Sequence, residues 1–189
     1  IAKAEVNNNK EVTVSDYASV ENYLCEMPWS FEDTETNFEL KYCRGNPSTG
    51  KSPLYELTKP IGQKGPTPNL RKEWIFSDLE EAYSTDIIGL RVYENPDYLT
   101  PEEWYKTTVK NIPIQETEGY TSLKIDGYPA IRSGRTVYVG ALNVINPGKE
   151  NQQIESLIYL LSYSDNAKPE TLDIYEQLIK NWRFNTNKK

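Results

Sequence analysis

Polar and apolar positions change period several times along the chain. Residues 1–14, with the run Asn7-Asn8-Asn9, show no period and read as a mobile N-terminal segment. Tyr17, Val20 and Leu24 then recur at helical spacing behind Ser15, which can cap the free amides of a first turn, and Pro28 stops that helix. From Asn37 to Arg44 the period falls to two: Phe38, Leu40 and Tyr42 share one face of a strand. Leu54 to Thr58 reads as its antiparallel partner across a polar turn. Pro60, Gly62, Gly65, Pro66 and Pro68 make the next stretch a loop, the best place for a boundary or a long excursion.

Beyond Lys72 the pattern sharpens. Trp74-Ile75-Phe76 is a short strand and Asp86 to Glu94 a stronger one. Thr100-Pro101-Glu102-Glu103 is a helix start with cap, N1 proline and capping-box glutamate, predicting a helix to about Asn111. Strands follow at Tyr120–Ile125, Ala130–Arg132, Thr136–Ile145 and Ile154–Tyr163, punctuated by Asp126-Gly127 and Ser133-Gly134. Leu172, Tyr175, Leu178, Ile179 and Trp182 form the apolar stripe of a closing helix from Pro169, with Phe184 anchoring the chain end.

Antiparallel strands with helices at three points define an α+β fold, a twisted and mainly antiparallel sheet flanked by helices. A length of 189 residues suits one such domain over residues 15–189. Within it, residues 15–70 are an atypical front half with a cysteine-flanked hairpin region, and residues 71–189 carry the sharper pattern. The 14 tyrosines and four tryptophans must supply much of the core, because there are only four phenylalanines and one methionine.

Composition narrows the chemistry. The chain has no histidine, which removes Ser-His and Cys-His nucleophilic pairs, histidine bases and histidine-ligated metals. A formal net charge of -7 argues against non-specific nucleic-acid binding, which needs a basic stripe. No segment approaches the ~20 apolar residues of a membrane span. Cys25 and Cys43 are too few for a metal site; they make either two buried thiols or one disulfide, and an isolated even pair favours the disulfide of an exported protein.

Gly45-Asn46-Pro47-Ser48-Thr49-Gly50-Lys51-Ser52 matches the phosphate-binding loop of nucleotide hydrolases letter for letter. Its context does not. The preceding strand alternates instead of reading as a doubly buried run, and Pro53 removes an amide that would face a phosphate. Pro60, Gly62 and Gly65 leave no room for the helix that must follow, so a polar turn explains the residues better. Glu80-Glu81 and Glu102-Glu103 are adjacent pairs that point apart, unlike facing catalytic carboxylates. The four tryptophans sit at core-compatible spacing, whereas Tyr55, Tyr83 and Tyr98 lie in or beside loops and are the surface candidates for binding a partner or a sugar. Lys124, Arg132 and Arg135 gather around one hairpin as a basic island or as solvated strand ends.

From Ile75 to Phe184 the chain resembles the PsbP-like family. Four segments carry the likeness in order: Ile87 to Tyr93 followed by Pro101-Glu102-Glu103-Trp104; the strand-turn Leu123 to Ala130 with its Asp-Gly-x-x-Ala pattern; the paired strands Thr136–Val139 and Leu157–Tyr163; and the last helix from Ile174 to Trp182-Arg183-Phe184. At the front, Met27-Pro28-Trp29-Ser30-Phe31 is a loose counterpart of the family's proline-aromatic turn. The resemblance implies an α/β/α sandwich and a non-catalytic accessory or binding domain without cofactor. It also implies export, a lipid or signal anchor upstream of Ile1, and a protein or cell-surface partner; a monomer is expected.

Overall fold

The computed structural model describes residues 28–43, 69–77, 85–109, 119–145, 149–150 and 152–184. Among them nine strands form two antiparallel sheets. The smaller sheet has β1 (Pro28–Asp33), β2 (Phe38–Cys43) and β9 (Arg183–Phe184) in the order β1-β2-β9. The larger has β3 (Leu70–Ser77), β4 (Ile87–Glu94), β5 (Tyr120–Ile125), β6 (Tyr128–Ser133), β7 (Thr136–Ile145) and β8 (Gln153–Tyr163), in the order β3-β4-β8-β7-β6-β5. The described residues also form two helices: α1 (Pro101–Trp104), which runs on into a π-helical turn at Tyr105–Val109, and α2 (Pro169–Lys180). Among the described residues the fold is therefore mainly β. The antiparallel sheet expected from the sequence is present with helices against it, but a second sheet also covers one of its faces.

Strand alternation explains the layering. Every second residue of β3, β4, β7 and β8 is apolar on one face: Trp74 and Phe76, Ile88, Leu90 and Val92, Val137 and Val139, Leu157, Tyr159 and Leu161. That face packs on Trp29, Phe38, Leu40 and Tyr42 of the small sheet and on Ile174, Tyr175 and Leu178 of α2. Phe38 joins the layers, with ring centroids 5.6 Å from Trp74 and 5.8 Å from Tyr159. Burying each such ring or aliphatic chain is worth about 1.5–3 kcal/mol. Tyr138, Ile158 and Ile131 stand on the opposite face beneath Trp104 and Tyr105. Gly140 permits that seating, since a Cβ there would stand 3.0 Å from the Pro101 ring.

The sequence elements from Trp74 onward are found close to their expected bounds, and all four tryptophans are buried, as their spacing predicts. Three differences are instructive. The helix expected from Thr100 to Asn111 keeps its capping box, but its α-helical part ends at Trp104. β-Branched Thr107 and Thr108 follow, and the Thr107 hydroxyl donates to the carbonyls of Glu103 and Trp104, competing with the helical ladder. Pro28 begins a strand, β1, that the sequence reading did not include, where Trp29 and Phe31 face inward between exposed Ser30 and Glu32. Finally, the described neighbours of β2 are β1 and β9; its expected partner at Leu54–Thr58, the helix from Ser15 and the segment 1–14 lie outside the described residues.

Candidate functional site

Where β4 ends, the chain turns through Asn95-Pro96-Asp97-Tyr98-Leu99 into the cap of α1. Asn95 is buried and every polar atom it owns is used. Its side-chain Nδ2 donates to the Leu99 carbonyl at 2.9 Å and to Ser156 Oγ at 2.8 Å. Its Oδ1 accepts the Leu99 amide at 3.1 Å, its own amide donates to the Ser156 carbonyl at 3.0 Å, and its carbonyl accepts the Tyr98 amide at 3.1 Å. A buried amide satisfied this way fixes the backbone around it. The fixation runs on into α1, because Thr100 and Glu103 exchange the reciprocal bonds of a capping box.

Tyr98 is the residue this turn presents. Four non-glycine residues among those described have positive φ: Asn37, Asn69, Asp126 and Tyr98. Asparagine and aspartate tolerate that conformation; a bulky aromatic does so at a cost of roughly 1–2 kcal/mol. The ring recovers little by burial, for Tyr98 is 70% exposed. Strain held by a fully bonded scaffold at an exposed aromatic is a feature of binding surfaces more than of cores.

Beside it lies a shallow groove of about 270 Å³, lined by Glu94, Asn95, Pro96, Tyr98, Ile154, Glu155 and Ser156. The register of β7 and β8 places Ile154 in its lining and Leu142 nearby on the same sheet face. Ile154, opposite Val144, is 70% exposed, and Leu142, opposite Ser156, is 53% exposed. The two carboxylates differ. Glu155 is bound by the Arg71 guanidinium and by the Gln153 amide. Glu94 makes no ion pair among the described residues and is exposed. Sequence reasoning finds Tyr98 from its place in a loop. It does not single out Ile154, which reads only as the start of a strand.

The other polar clusters hold the sheets together. Asn143 donates to the Thr36 and Asn37 carbonyls and to the Tyr159 hydroxyl, each at 2.8 Å, and that hydroxyl donates on to the Thr36 carbonyl. Burial pushes the Tyr159 phenol far above its ordinary range, so it stays protonated. Lys72 reaches Asp33 at 2.9 Å and Glu35 at 2.5 Å. Burial pulls its ammonium down, but the bonds to Glu35 and Asp33 outweigh it and the net shift is upward. On the far side, Glu102 bonds Lys106 and Tyr120, which hold its carboxyl below the usual range. Among the described residues no group of three or more Asp, Glu or Cys is placed to hold a metal ion.

Of the two readings of Lys124, Arg132 and Arg135, the basic island is not assembled. Arg132 bonds Glu176 at 2.7 Å and lies over the Tyr175 ring, and Arg135 faces Asp165 at 3.8 Å. Lys124 projects from the opposite face of the hairpin, because the register places Arg132 across from Thr121, three residues before it. Cys43 ends β2, and its amide donates to Gln177 Oε1 at 2.8 Å. Cys25, Tyr55, Tyr83 and Gly45–Ser52 lie outside the described residues. β2, which leads into Gly45–Ser52, is antiparallel to both its described neighbours. No described helix is long and apolar enough to cross a membrane. Comparison of the chain with protein-family models, curated proteins and solved structures finds no match.

Proposed function

We propose that the chain is a non-catalytic accessory domain of the PsbP-like kind, exported and tethered at a membrane, which acts by binding another protein through the groove beside Tyr98. One observation carries this reading: an aromatic ring held out of the core in a strained backbone, on a turn whose supporting asparagine has all its bonds made. The order of elements from β4 through α1, the β5–β6 turn and the β7–β8 pair to α2 is the order on which the family likeness rests. The absence of histidine and the structural bonds that engage Lys72 and Asn143 accord with binding over catalysis. We propose also that Cys25 and Cys43 form the disulfide of an exported domain.

Affinity enrichment from the native source tests the reading. Wild type is expected to enrich a protein that Tyr98→Asn does not, with both samples equally folded by circular dichroism. Identical enrichment profiles would remove the groove from consideration. The rival nucleotide reading of Gly45–Ser52 stands or falls on calorimetry with ATP, GTP and magnesium, in which no heat of binding is expected.

A further inference from the structure

The chemistry of the groove specifies more than a generic contact. Its lining offers four kinds of surface within one small volume: the exposed Tyr98 ring, the exposed Ile154 side chain, the Ser156 edge and the Glu94 carboxylate. A side chain that uses all of them carries an aliphatic stem and a cationic head. The stem lies along Ile154, as long basic side chains cover apolar surface elsewhere. The head meets Glu94, and a guanidinium can also lie on the face of an aromatic ring.

The charges around the groove favour such an occupant. Arg71, which pairs with the lining carboxylate Glu155, also faces Glu35 at 3.9 Å and is therefore already engaged. Glu94 is left as the lining carboxylate without an ion-pair partner among the described residues. The protein as a whole carries a formal net charge of -7, so its field attracts basic partners and repels acidic ones.

We propose that the groove receives an arginine or lysine side chain of a partner protein, its charge against Glu94, its stem on Ile154 and its plane or methylenes against Tyr98. This rests on the reading of the domain as a protein-binding module and names the chemistry of the partner. Tyr98 is then held in its strained turn because the ring must stand ready beside the carboxylate. A ring free to move would lose affinity to ordering entropy on binding.

The test is a nuclear magnetic resonance titration of the full chain with four capped pentapeptides. The parent is acetyl-Gly-Leu-Arg-Leu-Gly-amide, and the others replace its arginine by lysine, norleucine or glutamate. The arginine and lysine peptides are expected to move the amide resonances of Asn95, Tyr98, Ile154 and Ser156, more weakly as salt rises. E94Q, at an exposed position, leaves the fold intact and is expected to weaken both by about fivefold while leaving the norleucine peptide unaffected. Equal binding of the norleucine and arginine peptides would overturn the cationic occupant and leave a protein-docking groove. Shifts confined to residues outside the groove, or none at all, would overturn the inference. If a neutral oligosaccharide moves the groove resonances and no peptide does, the protein-binding reading falls with it.

Discussion

The carbonyl of Asn95 accepts the backbone amide of Tyr98 at 3.1 Å, and this turn holds the backbone from which the tyrosine ring projects. The asparagine is buried and the tyrosine is exposed, so one residue serves the fold and the other faces the solvent. They separate stability from binding in a way that mutation can read.

Asn95→Ala removes three side-chain bonds to Leu99 and Ser156 and leaves buried backbone groups unpaired. The expected loss is about 1–3 kcal/mol in urea unfolding, with amide hydrogens at Tyr98 and Leu99 exchanging faster. Unchanged exchange at both would show that the turn does not depend on Asn95.

Tyr98→Asn has the opposite sign. It relieves the left-handed strain and forfeits little burial, so stability is expected to rise by a few tenths to about 1 kcal/mol. A clear drop in the unfolding midpoint would mean that the ring has a packing role the exposure does not reveal.

Tyr159→Phe tests the seam between the sheets. The substitution keeps the ring packed on Phe38, Trp182 and Phe184 but deletes the hydroxyl between Asn143 and Thr36. A cost of about 1–3 kcal/mol is expected by denaturant titration.

The same tyrosines give the protein an alkaline limit. Burial first, then the neighbouring Tyr105, pushes the Tyr138 phenol up to about 12. An unfolded tyrosine titrates near pH 10. Below about pH 10 both states keep the proton and stability is unaffected by this group. Between about pH 10 and 12 the unfolded chain gives up a proton that the folded protein retains, so stability falls by about 2–3 kcal/mol from this residue. Tyr175 and Tyr159, raised by burial, act in the same direction. So does Lys72, whose ion pairs stabilise fully below its unfolded value and are lost as pH rises through its raised folded value. Urea midpoints are expected to hold from neutrality to about pH 10 and then fall, and Tyr138→Phe should soften the fall. A midpoint constant to about pH 12 would contradict the burial of these groups.

Much of the larger sheet was legible because local signals agreed with the global fold. Ile87 to Glu94 is rich in β-branched residues, and Asp126, Gly127 and Gly134 all adopt the positive φ their turns require. The Thr100 capping box was legible too, but not the early end of its α-helix, since side-chain competition at Thr107 acts against the helical period. β1 carries a period-two signal in Trp29 and Phe31 that the helix-stopping reading of Pro28 concealed. β9 is two residues long, and no period exists at that length. Of the groove, only Tyr98 could be read in advance. Its other walls meet because β4 pairs with β8, a neighbour far away in sequence, and no local pattern encodes that pairing.

The central claim is that the groove beside Tyr98 binds a protein partner, and it is tested most directly by one ratio. The dissociation constant of the enriched partner is measured by fluorescence anisotropy for wild type and for Tyr98→Asn, with unfolding midpoints taken on the same samples. The expected result is an affinity loss on the order of tenfold or more, together with an equal or higher midpoint. Equal affinities at equal stability would contradict the claim and return Tyr98 to the ordinary surface.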